Sequence, residues 1–294
     1  MSRGRAHGEA STATRREVAR GAIATASGAT AMASAAVVTQ LAGLVLGVGC
    51  GSAMGAGTAA AAAVGGAVFA GAAARASAEA WMERTNGRAR TRSRTGGESV
   101  RWASLANVDE GDVVRDAGVG VATFAALSRG NLGRLLPSDV SRVGANATRS
   151  APARGSDYAS EAQKRALRRW FKKFGCHHCG STRGKVIGDH MPPNKLAFGS
   201  GARAAANRGA SLPRRVFNFV RGVPLQRFYP QCEACSALQS AAVRSGATKL
   251  VVHSVGVRCA ALAGAAVGAS ALHFDEIKIF VERACERARG LLRV

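Results

Sequence analysis

The sequence predicts an α+β protein in which a small zinc-bound ββα-like domain with flanking helices follows an Ala- and Gly-rich helical hairpin. Three observations support this prediction. No charged residue occurs between Gly21 and Ala74, two Cys-x-x-Cys pairs lie in the C-terminal half, and a short apolar segment ending in Asp189 and His190 lies between the pairs. The first observation predicts long apolar helices, and the other two predict a metal-held hairpin followed by a helix.

The composition is strongly basic. The 294 residues include 41 Lys and Arg against 18 Asp and Glu, which gives a net charge of +23 and a pI near 11.4. This excess favours a polyanionic partner, either nucleic acid or an acidic membrane face. A coding bias towards Arg, Ala and Gly is the alternative explanation.

Cysteine usage indicates metal binding in a reducing compartment. Seven cysteines are too few for a disulfide scaffold of this length, and four of them form two close pairs. The remaining three, Cys50, Cys259 and Cys285, lie in apolar or amphipathic surroundings and are expected to be small core residues.

Residues 1–20 fit neither a secretory signal nor a mitochondrial presequence and predict a disordered lead. Residues 21–83 predict a helical hairpin, with segments 32–50 and 58–74 each close to the roughly 17–20 residues that cross a bilayer. Four glycines recur at every fourth position, which on one helix would form a glycine zipper that admits a second helix. These glycines are Gly43, Gly47, Gly51 and Gly55.

The hairpin leaves three interpretations open: membrane insertion through residues 32–74, a buried soluble hairpin, and low-complexity disorder. Insertion would keep the Arg-bearing flanks and the zinc domain on the cytoplasmic side. The zipper would also allow self-association.

Residues 84–155 predict a basic flexible linker with one short helix. Residues 156–294 predict the zinc domain, which opens with a helix capped by Ser156 and closes with an amphipathic helix over 275–292. Small and apolar residues 259–272 are too few to span a bilayer.

The opening helix of the zinc domain carries a basic face, while Ala162, Ala166, Trp170 and Phe174 fall on another side. The basic face predicts contacts to nucleic-acid phosphates, and a simply solvated face is the alternative. Its members are Lys164, Arg165, Arg168, Arg169, Lys172 and Lys173.

The two Cys-x-x-Cys pairs predict one structural Zn²⁺ site. A tight turn aims both sulfurs of a pair at a centre about 2.3 Å away, and two pairs complete a tetrahedron. The ligands are Cys176, Cys179, Cys232 and Cys235. A redox role, or a site that also uses His177 or His178, is the alternative.

A Cys pair, an Asp-His-x-x-Pro strand end at Asp189 and a second Cys pair opening a helix occur in this order. Over residues about 174–254 this resembles the HNH, or treble-clef His-Me finger, endonuclease superfamily. The resemblance implies metal-dependent hydrolysis of nucleic-acid phosphodiesters. It implies that Asp189 ligates a catalytic Mg²⁺, Mn²⁺ or Ni²⁺ and that His190 deprotonates a water.

The sequence departs from the family pattern in the second half of the motif. Ser236 stands where the family has Asn or His, and Gln239 stands where Lys is common. The middle Asn of the family has three candidates, and His253 is a further candidate to approach the site from a following strand. The Asn candidates are Asn194, Asn207 and Asn218.

Three functional hypotheses follow. The first is an HNH-like nuclease attached to a membrane, and the second is a non-catalytic zinc module of a membrane-associated interaction protein. The third is a soluble nucleic-acid-binding protein with a low-complexity leader. In the second and third, His190 only forms a hydrogen bond within its loop.

Overall fold

Helices dominate the architecture, as the sequence predicts, and few short strands accompany them. The computed structural model describes residues 3–85, 109–153, 157–198 and 226–291, and the backbone alone for 3–13 and 273–291. The helices are α1 (Arg3–Leu46), α2 (Gly55–Thr85), α3 (Glu110–Ser128), α4 (Glu161–Phe174), α5 (Asn194–Phe198), α6 (Glu233–Ser245) and α7 (Ser254–Leu291).

The strands form two small antiparallel sheets. They are β1 (Ser138–Asp139), β2 (Ala151–Pro152), β3 (Val186–Met191), β4 (Arg227–Cys232) and β5 (Leu250–Val251). The larger sheet has the order β2-β4-β3, and the smaller one pairs β1 with β5. In the larger sheet Asp189 pairs with Tyr229 and Val186 with Cys232. This register brings the start of β3 to the second cysteine pair.

The chain forms two compact units, each drawn from separate segments. The helical unit comprises Met1–Ala35, Ala63–Gly130 and Cys259–Val294, and the cysteine unit comprises Ala36–Ala62 and Asn131–Arg258. These divisions differ from the boundaries expected after residues 20, 83 and 155, because α1 and α2 each contribute residues to both units.

The expected disordered lead lies within helix α1, which begins at Arg3. Ala, Arg and Glu are frequent in the first 20 residues, and all three have high intrinsic helix propensity. Continuity with the uncharged helical segment that follows extends the helix through the lead.

The prediction of a glycine zipper on one helix is wrong. Helix α1 ends at Leu46 and α2 begins at Gly55, so the four glycines straddle the loop between them. Gly47 has φ +67°, the left-handed conformation in which a glycine commonly ends a helix. The four-residue spacing therefore belongs to the loop between two helices. Spacing alone cannot distinguish such a loop from a row of glycines on one helix.

Close helix packing uses other glycines, all within the helical unit. A Cβ on Gly28 of α1 would meet the backbone of Gly264 and Gly268 in α7, and one on Gly120 of α3 would meet Ala67 of α2. Small side chains let helix backbones approach each other. The small-residue packing expected from the composition is present, at positions that the regular spacing does not mark.

Helix α3 lies within residues 84–155, where one short helix is expected. Asp109 caps it by accepting a hydrogen bond from the amide of Gly111 at 3.2 Å. Its buried Asp116 meets Arg75 of α2, with Arg75 NH1 and Asp116 Oδ2 2.8 Å apart. Gly71 makes this contact sterically feasible, because a Cβ there would collide with the Asp116 carboxylate. Residues 86–108 of the expected linker lie outside the described residues.

Three helices are long and apolar enough to cross a membrane: α1 from Thr14 to Leu46, α2, and α7 from Ser254 to Leu272. The expectation that 259–272 is too short to span is wrong, because α7 begins five residues earlier and runs on to Leu291. The predicted closing helix over 275–292 is the continuation of α7, and its side chains lie outside the described ones.

Helix α4 begins at Glu161, later than predicted. Ser160 is its N-cap and forms a capping box with Gln163, in which each side chain bonds the backbone of the other residue. Ser156 lies outside the described residues, and residues 157–160 are not helical. Leu167 and Phe171 are the buried residues of α4, whereas Ala162 is exposed and Trp170 is half-buried.

Candidate metal centre

The first cysteine pair sits in a tight turn directly after α4. Gly175, with φ +80°, ends the helix, and Gly180, with φ +74°, closes the turn. The Cys176 amide donates to the Ser181 carbonyl and the Gly180 amide donates to the Cys176 carbonyl, each at 2.8 Å. The turn is therefore closed by backbone hydrogen bonds, and its side chains are free for other roles.

The second pair sits where β4 passes into α6. Cys232 ends the strand and caps the helix, and its Sγ accepts from the Cys235 amide at 3.5 Å. The hydrogen bond orients this sulfur at the start of the helix.

The four predicted sulfurs converge as the sequence indicates. All four Sγ atoms lie within 4.8 Å of one another, and those of Cys179 and Cys232 are 3.6 Å apart. A tetrahedral Zn²⁺ with bonds of about 2.3 Å separates its sulfurs by about 3.8 Å. None of these cysteines is in a disulfide, and Phe171, Val186 and Val251 pack around the cluster. The donor set fits a metal such as zinc.

The pKa shifts of the cysteine thiols favour a bound cation in the cluster. Hydrogen bonds from the Cys176 and Cys235 thiols lower the pKa of Cys179 to about 4. Hydrogen bonds with Cys176 and Cys179, followed by burial and the negative charge of these two neighbours, raise the pKa of Cys235. A divalent ion removes that repulsion by binding all four as thiolates.

The two histidines between the paired cysteines are buried and face a second cluster. His177 Nε2 lies 3.0 Å from Asp189 Oδ2, and His177 Nδ1 accepts from the Gly144 amide at 3.1 Å. Since an amide only donates, the His177 proton is on Nε2 and is donated to Asp189. Gln239 on α6 donates to the same carboxylate oxygen at 3.0 Å and to the Val140 carbonyl at 3.0 Å.

Side chains of His177, His178 and Asp189 also lie within 4.8 Å of one another. A metal on His177 Nε2 would require the proton on Nδ1, where it would oppose the Gly144 N–H. The hydrogen bonds therefore favour an anchor that ties the cysteine turn to β3 and α6. The alternative zinc site that uses His177 or His178 is not favoured by this geometry.

Burial keeps the His177 side chain of this cluster uncharged. It lowers the pKa of His177 to about 4 and raises the pKa of Asp189, against the lowering effect of the Gln239 hydrogen bond. His177 is therefore neutral at neutral pH, and its contact with Asp189 is a hydrogen bond between a neutral donor and a carboxyl group.

His178 connects the turn to the segment before β2. Its Nδ1 lies 2.9 Å from Ser138 Oγ, and its carbonyl accepts from Asn146 Nδ2 at 2.7 Å. Burial, followed by the neighbouring His177, holds the pKa of His178 well below its usual range. No sequence pattern marks Ser138 or Asn146 as partners, because both lie more than 30 positions away in the chain.

His190 faces a different environment from Asp189. Successive side chains of a strand leave opposite faces, and β3 is regular at both positions. His190 Nε2 lies 3.0 Å from the Asp157 carbonyl, and its ring lies 4.4 Å from the Phe228 ring. The structure therefore does not bring the Asp189 and His190 side chains together.

The other candidates for a second metal site also lie apart from His190. Ser236 is half-buried on α6, and buried His253 contacts the Leu136 carbonyl through Nε2 at 3.0 Å. Asn194 Oδ1 accepts from Gln226 at 2.8 Å. Asn207 and Asn218 lie outside the described residues, as do the arginines of 199–225.

The predicted basic face of α4 is exposed at all six positions. Two of its members, Lys164 and Arg168, line a cavity of about 220 Å³ together with His190, Tyr158 and Phe228. Lys164 also bonds exposed Glu161 on its own helix at 2.8 Å. The basic helix and the histidine thus share one recess, which sequence spacing did not reveal.

Comparisons with protein-family models, with curated proteins and with solved structures gave no match for this chain.

Proposed function

We propose that the cysteine unit is a zinc-stabilised, HNH-like module of a membrane-associated protein and that it hydrolyses phosphodiester bonds of nucleic acid. The cysteine turn, the paired strands β3 and β4 and helix α6 follow one another in the chain around the four sulfurs, and this order supports the treble-clef part of the proposal. The observation that carries the proposal is the cavity in which His190 lies beside two cations of α4.

His190 has the tautomer that a general base needs. A carbonyl oxygen only accepts hydrogen bonds, so the contact with Asp157 places the imidazole proton on Nε2. The lone pair then resides on Nδ1, and no group among the described residues bonds that atom in the structure. Hydrogen bonding to Asp157 also fixes the ring orientation, which is what a positioned base requires.

Lys164 and Arg168 supply the complementary charge. A phosphodiester held against these side chains would lie beside His190 Nδ1, which takes a proton from water as the water oxygen attacks phosphorus. The bond from phosphorus to the leaving oxygen breaks, and that oxygen gains a proton from solvent. The two cations offset charge that builds on the phosphoryl oxygens.

Asp189 does not fit the role of cation ligand for this recess. Its carboxyl group is buried on the other face of β3 and accepts hydrogen bonds from His177 and Gln239. In this arrangement Asp189 therefore does not share a Mg²⁺, Mn²⁺ or Ni²⁺ with His190. The family resemblance implies that Asp189 ligates a catalytic cation, and in this recess that role requires the side chain to reorient.

Cleavage of supercoiled plasmid by the full chain in detergent tests the proposal. In Mg²⁺, Mn²⁺ or Ni²⁺, we expect nicking that His190→Ala reduces at least 100-fold, the scale of a general base. His253→Gln is the matched control, because His253 lies outside the cavity. Absence of nicking, or equal nicking by the parent and His190→Ala, would contradict the proposed cleavage.

The separation of Asp189 from His190 favours a second candidate function. In this version the unit is a non-catalytic zinc module of a membrane-associated interaction protein, and α4 binds phosphates without cleaving them. The same assay separates the two, since the module retains salt-sensitive binding and shows no His190-dependent cleavage.

A further inference from the structure

We propose that the recess beside α4 binds single-stranded nucleic acid, with Tyr158 as a stacking platform for one base. This inference rests on the proposed function and names its substrate class. The supporting features are the exposure of Tyr158, the size of the recess and the spacing of the α4 cations.

Tyr158 is placed at the recess with its ring almost wholly available. The side chain is 92% exposed, although it lines the same cavity as His190 and Lys164. An aromatic ring left in solvent beside cations is the usual arrangement for stacking on an unpaired base. Bases within a duplex are already stacked on one another and cannot use such a ring.

The recess has room for one nucleotide unit rather than a duplex. Its volume is about 220 Å³, below the roughly 300–1,000 Å³ of pockets that enclose drug-sized ligands. Phe228 closes its floor and is 2% exposed. A flexible single strand can bend one phosphate towards His190 more readily than a rigid duplex can.

The spacing of cations along α4 matches the spacing of phosphates along one nucleic-acid strand. Lys164, Arg168 and Lys172 follow one another at intervals of four residues, which places them about 6 Å apart along the helix axis. This spacing is comparable to that between neighbouring phosphates of a single strand. The strand would therefore run along α4, with one base on Tyr158 and one phosphate at His190.

Fluorescence anisotropy of a labelled 12-nucleotide DNA and of its duplex, with the full chain in detergent and without added Mg²⁺, Mn²⁺ or Ni²⁺, tests the inference without cleavage. We expect the single strand to bind at least 10-fold more tightly than the duplex. Tyr158→Ala should weaken single-strand binding by about 10-fold and leave duplex binding unchanged, because stacking on one base is lost. Tyr158→Trp should retain the single-strand affinity.

Lys172→Ala is the matched control, because it removes a phosphate contact on α4 and leaves the recess intact. It should weaken both ligands alike and reduce the salt dependence of binding. Equal affinity for both ligands, or an equal loss on both from Tyr158→Ala, would overturn the inference. Preserved preference with no nicking activity would instead contradict only the proposed cleavage.

Discussion

Asp189 is the residue whose predicted role differs most from its contacts in the structure. Its position before a histidine suggested a catalytic metal ligand, and the structure surrounds it with donors from two segments: His177 in the cysteine turn and Gln239 on α6. The side chain joins the cysteine turn to β3 and α6. A structural role therefore explains its burial without any reaction.

Asp189→Ala should destabilise the cysteine unit by about 2–4 kcal/mol, because it leaves two buried donors without an acceptor. Urea unfolding followed through Trp170 fluorescence measures this change, in a background where Trp81 and Trp102 are replaced by Phe. Ser240→Ala, an exposed change on α6, is the control and should shift stability by less than about 0.5 kcal/mol. Equal stability of Asp189→Ala and the parent would refute the anchoring role.

His253 gives the cysteine unit a pH dependence. Burial lowers the pKa of His253 to about 4, whereas an unfolded histidine titrates near 6.5. The unfolded chain therefore binds more protons between these values, and stability falls as pH drops from about 6.5 to about 4. The contribution is at most about 3 kcal/mol. His253→Gln should lack this part of the slope in urea titrations at several pH values, and identical slopes would contradict it.

At the scale of elements, sequence reasoning succeeded where physical constraints are local. The uncharged segment forms most of two long helices, the cysteine pairs converge, and the short apolar segment that ends in Asp189 and His190 forms β3. Errors arose where distant partners decide the outcome. The sequence does not show that Gly71 leaves room for the Asp116 carboxylate, because the structure brings these two residues together. In the same way, the sequence does not show that His177 bonds Gly144 and Asp189.

Gly71→Ala should destabilise the packing of α2 on α3, because its methyl group would displace the Asp116 carboxylate from Arg75. Overpacking of this kind costs about 1–3 kcal/mol. Gly65→Ala in the same helix is the control, since a Cβ there meets no neighbour, and it should be neutral or stabilising by up to about 1 kcal/mol. Thermal unfolding in detergent compares the two, and equal midpoints would exclude the packing role of Gly71.

The N-terminus of α4 depends on Ser160, a cap that sequence analysis placed four residues too early. Ser160→Ala removes the capping box and should cost about 1 kcal/mol, whereas Ser160→Asp should retain most of the stability. Urea unfolding followed by Trp170 fluorescence reports the difference, since Trp170 lies in this helix. A loss from Ser160→Asp as large as that from Ser160→Ala would argue against the cap.

At the scale of the whole molecule, apolar surface supports the proposed membrane association. Six large apolar side chains near the end of α1 are exposed, on a helix that is long enough to cross a bilayer. They are Val37, Val38, Leu41, Leu44, Val45 and Leu46. Lipid would cover a surface that water does not favour.

The full chain should therefore remain in the membrane pellet after carbonate extraction. Replacing both Leu41 and Val45 by Lys should shift at least half of the protein to the supernatant, since two charges on this exposed apolar surface oppose its burial in lipid. Val143→Lys, an exposed change in the cysteine unit, should leave the distribution unchanged. Recovery of the parent chain in the soluble fraction would exclude insertion.

The four-cysteine metal site is the central claim, because the fold of the cysteine unit and both functional proposals depend on it. Plasma mass spectrometry of the full chain in detergent tests it most directly. We expect one zinc per chain in the parent and in His190→Ala, and none when Cys179 and Cys232 are both replaced by Ser. A parent chain without zinc, or a double variant that keeps it, would contradict the account.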